Sequence, residues 1–102
     1  MARQGKVIWT ETAKTEFKKT CAYWNKRNAS NAYSTRLRKL VQSAIENISL
    51  YPQSGIPSSF EKVRFVVIRD YLLFYQFSGG DLILLSFWDA RQDPDKLKIR
   101  LT

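Results

Sequence analysis

The residues able to do chemistry crowd into one stretch, Glu61 to Pro94. It carries Lys62 and Arg64 two positions apart, Tyr71 and Tyr75, and a Trp88-Asp89-Ala90-Arg91 run. Arginine offers a planar fork for phosphate or carboxylate, and tryptophan can stack on a base. Side chains in a strand alternate, so Lys62 and Arg64 are expected to share one face, with Arg91 emerging beside Trp88 just past a later strand. The chain has no histidine, which removes Ser-His and Cys-His nucleophile pairs. Any acid, base or charge stabiliser must be Arg, Lys, Tyr or a carboxylate.

Other chemistries find little support. Cys21 is the only cysteine, which excludes an internal disulfide and a Cys/His zinc set. Its place on an apolar helical face reads as core packing. Asp89, Asp93 and Asp95 lack a second ligand group, and capping or salt bridging accounts for them; no metal and no cofactor is expected. Gly79-Gly80 reads as a hairpin turn and not as a phosphate loop.

Charge points to a partner. With 17 Lys plus Arg against 9 Asp plus Glu, the net charge is +8. Such a field speeds association with nucleic acid or with an acidic protein. At 102 residues, 44% hydrophobic and 14% aromatic, the chain makes one domain over 1–102 with a real core. No apolar run resembles a signal peptide or approaches a membrane span, so no membrane partner and a reducing cytoplasm are expected.

These residues need elements to position them. Lys6 to Trp9 favours a strand, Thr10 can cap a helix, and Ala13, Phe17, Cys21 and Trp24 recur on one helical face. Asn25 to Asn31 interrupts that pattern, with Ser30 a candidate cap for a second helix. There Tyr33, Leu37, Leu40, Val41, Ala44, Ile45 and Ile48 form an apolar stripe, and Pro52 stops it. A Ser-, Pro- and Gly-rich loop covers Pro52 to Ser59. Three strands follow: one around Lys62 to Arg69, then Tyr71 to Phe77, then Leu82 to Asp89. Asp70 and Ser78-Gly79-Gly80-Asp81 make the turns. Arg91 to Pro94 reads as a loop and Asp95 to Leu101 as a short basic tail. The expectation is an α+β, βααβββ fold: a small antiparallel sheet with a two-helix hairpin packed on one face. The opposite face would lie open and hold the site.

The order βααβββ, YLLFYQ in the middle strand and LLSFWDARQDP at the last strand resemble the RelE/ParE superfamily of bacterial toxins of type II toxin–antitoxin pairs. The resemblance begins at VIWTETAKTEFKK and is most specific from Val63 to Pro94. It implies a protein that halts bacterial growth until an acidic, partly disordered antitoxin wraps it, burying apolar groups on the helices or sheet edge. Two activities occur in the superfamily. RelE-like members cut mRNA in the ribosome, and Lys62, Arg64 and Arg91 match their basic positions, with Tyr71 or Tyr75 a helper. ParE-like members bind and inhibit DNA gyrase. Tyr71-Leu72 stands where RelE-like nucleases carry Tyr-Arg, and Leu97 falls near their late aromatic or histidine. The apolar run after Tyr71 and the Ala90-Arg91 ending lean toward the ParE-like side, with Lys62, Arg64, Trp88 and Arg91 as target-binding residues. A degenerate member that only binds its antitoxin is a further alternative.

Overall fold

The computed structural model describes residues 5–92. The expectations for Asp93-Pro94 and for the tail from Asp95 to Leu101 fall outside these. Strand β1 (Val7–Trp9) leads into helix α1 (Glu11–Asn28) and helix α2 (Ala32–Leu50). A 3₁₀ turn (Pro52–Ser54) and a two-residue strand β2 (Ile56–Pro57) precede β3 (Arg64–Ile68), β4 (Tyr71–Ser78) and β5 (Asp81–Asp89). The α+β class and the βααβββ order hold.

The sheet runs β1-β5-β4-β3-β2. Its C-terminal strands form an antiparallel meander. The N-terminal strand sits at the far edge and pairs in parallel with β5, Val7 opposite Leu82 and Trp9 opposite Leu84. The sheet is therefore mixed, because a helix hairpin returning over one face brings β1 and β5 together pointing the same way. The short β2 adds to β3 from inside the expected loop.

Thr10 caps α1 as its residue type predicts. Its hydroxyl accepts from the Ala13 N–H at 3.2 Å and donates to the Leu84 carbonyl at 2.8 Å. One side chain thus starts the helix and anchors it to β5. The expected break at Asn25 does not occur. The helix runs to Asn28, and Ala29 ends it in the left-handed region at φ 49. Asn25 stays helical with its side-chain oxygen accepting from the Ser34 hydroxyl at 2.6 Å, tying the two helices together. Asn31, not Ser30, occupies the N-cap position of α2, while the Ser30 hydroxyl accepts from the Ala32 N–H.

The core lies between the hairpin and the sheet. Ala13, Phe17 and Cys21 from α1 and Leu37, Val41 and Ile48 from α2 meet Ile68, Leu73, Tyr75, Leu82, Leu84 and Phe87. Burial raises the Cys21 thiol above its ordinary pKa, as expected for a packed thiol. Leu40 departs from the stripe and is exposed. Alternation sends the other set of strand residues to the far face, where Val63, Phe74 and Leu85 are buried among Phe60, Phe65, Leu72, Ile83 and Trp88. That second apolar cluster corrects the expectation of an open, basic face. A bulge on β5 at Leu85, where Phe74 opposes Ser86 and Tyr75 opposes Leu84, shifts the register midway.

Past Trp9, β1 stops and leaves the β5 edge without a neighbouring strand among the described residues. Glu16 from α1 takes its place. One carboxylate oxygen accepts from the Ser86 hydroxyl at 2.9 Å and from the Phe87 N–H at 3.0 Å. An acid reaching into the edge both satisfies the backbone and blunts pairing with another chain.

Candidate functional site

Lys62 does not lie in a strand. It precedes β3 in a turn at φ 63, exposed, where the Val63 N–H donates to the Phe60 carbonyl. The two-residue alternation that would align it with Arg64 therefore does not apply. Arg64 opens β3 with the parity of Val66 and Ile68, which join the helix-side core. Lys62 and Arg64 still line one polar cleft of about 480 Å³, with Ser58, Ser59, Tyr75 and Gln76.

Within that cleft the groups best suited to chemistry already have partners. The Arg64 guanidinium donates to the Gly55 carbonyl at 2.8 Å and to the Gln53 side-chain oxygen at 2.9 Å, locking the 52–55 turn onto the sheet. The Tyr75 hydroxyl accepts from the Gly55 N–H at 3.0 Å and donates to the Pro52 carbonyl at 2.8 Å. Gly55 is required there: a Cβ would collide with the Tyr75 phenol. Burial pushes the Tyr75 hydroxyl above its usual pKa, against smaller lowering by Gly55 and Arg64.

Trp88 and Arg91 stand at the opposite end of the strands. Arg64 pairs with Tyr75, and Asp89 with Tyr71. At the usual strand rise, those four β4 residues separate the two ends by roughly 13 Å. Trp88 is half-buried on the far face beside Leu72. The exposed Arg91 folds back on Asp89, donating through its backbone N–H, Nε and Nη2 at 2.8–2.9 Å. That arginine holds Asp89 below the usual carboxylate range, and Asp89 in turn raises the already high pKa of Arg91. Tyr71 is buried, accepts from the Trp24 indole N–H at 2.7 Å and stacks on Phe87. Its desolvation raises its pKa as well. The four residues singled out in the sequence thus form two groups at two ends of the sheet.

Two features escape sequence reading. Arg69, in the two-residue β3–β4 turn, sits at φ 55 close to the Arg91 end, where the Ala90 N–H donates to the Asp70 carbonyl. Turn chemistry would place Gly, Asn or Asp at such a φ, so an arginine gave no signal. The larger omission is a groove of about 790 Å³ between α1, α2 and β1. Its floor is Val7, Trp9, Phe17, Val41 and Ile45, and its rim carries Lys14, Lys18 and Arg38 against Glu46. The Arg38 guanidinium lies 5.4 Å from the Phe17 ring centroid. The groove arises because the apolar stripes of two helices are wider than the contact between them. No described helix is long and apolar enough to cross a membrane.

Comparison with known proteins agrees with this architecture. A solved structure described as the chromosomal ParDE TA system from P. aeruginosa aligns with a TM-score of 0.62, at 15% identity, over 88% of this chain and 100% of that one. At that identity the likeness concerns the fold. No curated protein matches the chain. The model of the ParE toxin of the type II toxin–antitoxin system parDE matches residues 7–94, from the first residue of β1 to beyond Arg91. A match over that span, on a sheet and hairpin of this topology, identifies the chain as a member of the ParE toxin family of type II toxin–antitoxin systems.

Proposed function

We propose that this chain stops bacterial growth by binding an essential target protein, with DNA gyrase the family precedent, and that an acidic antitoxin silences it. The observation that carries a binding mechanism over RNA cleavage is the state of the two tyrosines. Attack by a ribose 2′-OH needs a group to take its proton or an equivalent charge device. Tyr71 and Tyr75 are both buried and hydrogen-bonded, and Arg64 holds a turn. Lys62, Trp88 and Arg91 remain as target contacts.

The antitoxin reading rests on family membership and on the groove. Apolar floor plus cationic rim matches an amphipathic acidic helix, whose anchors repeat every three to four residues. Such a segment, disordered when free, gains its order from burying those anchors.

Four experiments test the proposal. Purified toxin should inhibit gyrase supercoiling in vitro, and normal supercoiling at high toxin concentration removes the gyrase reading. Codon-phased cuts seen by primer extension on translating messages would replace binding with ribosome-dependent cleavage. For the groove, Ile45→Asp should abolish capture of the small acidic protein encoded next to this one; undiminished capture places the antitoxin elsewhere. Harmless overexpression without antitoxin would leave only an antitoxin-binding role.

A further inference from the structure

The tip of the α1–α2 hairpin joins aromatic rings to a charge run of one sign, apart from the polar cleft that Lys62 and Arg64 line. From Cys21 to Ile45 the sequence carries Lys26, Arg27, Arg36, Arg38 and Lys39 and no aspartate or glutamate. Tyr23 is 55% exposed. Two positions after Cys21, it leaves the buried stripe of α1 by more than half a turn, so the core does not explain it. Its ring stands edge-on to Trp24 at 5.1 Å, and Trp24 tilts against Tyr33 at 4.9 Å. The Trp24 indole N–H is fixed to the Tyr71 hydroxyl, which anchors this row of rings to β4. Lys26 and Arg27 follow Tyr23 by three and four residues, and Arg36 follows Tyr33 by three, so each cation lies on its ring's side of the helix. The C-terminus of α1 favours cations on dipole grounds. That accounts for Lys26 and Arg27 but not for the exposed ring between them and the core.

We propose that this hairpin tip binds unpaired nucleic-acid bases, with Tyr23 as the stacking platform and Lys26, Arg27 and Arg36 on the backbone phosphates. A held aromatic ring beside phosphate-binding cations is the arrangement by which single strands are gripped without sequence preference. Paired bases present no free face to Tyr23, so duplex is the weaker ligand.

The test is fluorescence anisotropy of the purified toxin with labelled single-stranded DNA, single-stranded RNA and duplex DNA of one length, across a salt series. Both single strands should bind more tightly than duplex, with affinity falling as salt rises. Tyr23→Ala should weaken single-strand binding about tenfold while Tyr23→Phe preserves it. Lys26→Ala/Arg27→Ala should flatten the salt slope by about 2 without abolishing the preference for single strands. Tyr23 is exposed, so unchanged thermal melting will show that these variants fold. Equal binding by wild type and Tyr23→Ala, or duplex binding as tight as single-strand binding, overturns the proposal and leaves only non-specific charge. Binding confined to DNA or to RNA keeps the platform and names its source. The outcome does not depend on the gyrase result.

Discussion

Asp89 and Arg91 form a closed clasp at the end of β5: both carboxylate oxygens of one accept from the backbone and guanidinium of the other, two residues later. The clasp aims Arg91 and offsets its charge at the place where a target contact is proposed. Because the folded Asp89 titrates below its unfolded value, its contribution to stability is present above the ordinary carboxylate pKa and disappears as pH falls through the lowered one. The pair is open to solvent, so that contribution is small. Thermal melts of wild type and Asp89→Asn should differ slightly at pH 7 and converge in strong acid; a gap that widens on acidification contradicts the clasp. In growth assays Arg91→Ala should blunt killing, and full killing by it moves the target contact elsewhere.

Tyr75→Phe should lower stability by about 1–3 kcal/mol, because the Gly55 N–H and Pro52 carbonyl lose their buried partner. Denaturant unfolding gives the number. If the folded variant still kills, Tyr75 has no chemical role. Loss of killing with unchanged stability would restore a catalytic one.

Arg64→Ala should also register first as lost stability, since its guanidinium holds the 52–55 turn. A reduction in toxicity counts toward target contact only after melting shows the variant folded at the assay temperature.

Glu16→Ala should cost about 1–3 kcal/mol through the orphaned Phe87 N–H. It should also raise the tendency to associate, because an unguarded β5 edge can accept a second strand. Unfolding curves and light scattering on one sample report both effects, and a monomeric variant of wild-type stability would show that water replaces the carboxylate.

Arg69→Gly should stabilise the protein by a few tenths to about 1 kcal/mol. Relief of the left-handed φ outweighs the entropy that glycine gains when unfolded. A melting temperature that falls instead would mean the arginine side chain makes up for its backbone.

Elements driven by local pattern were legible in the chain. The Thr10 cap, the α2 stripe, the Pro52 stop and the Gly79-Gly80 turn all depend on neighbours within a few residues. What the pattern could not convey depends on distant partners. The parallel seating of β1 requires knowing where β5 lies. Lys62 leaves its strand because Ser58, Phe60 and Val63 close a turn around it. Arg64 looked like a free cation because its acceptors, Gln53 and Gly55, belong to a loop with no periodicity of its own. The far face read as open because residues 60–63 fold over it, and one-strand-at-a-time alternation does not reveal what lies above. The groove was hidden for a similar reason, since each helix stripe looks complete until the two are laid side by side.

The parallel seam between Val7–Trp9 and Leu82–Leu84 bears on when the sheet can close. Strands that far apart in the chain meet only once the ribosome has released the later one, because a loop of that length must close before its contacts form. The sheet therefore closes along that seam only after β5 has been made, whatever the earlier elements have already built.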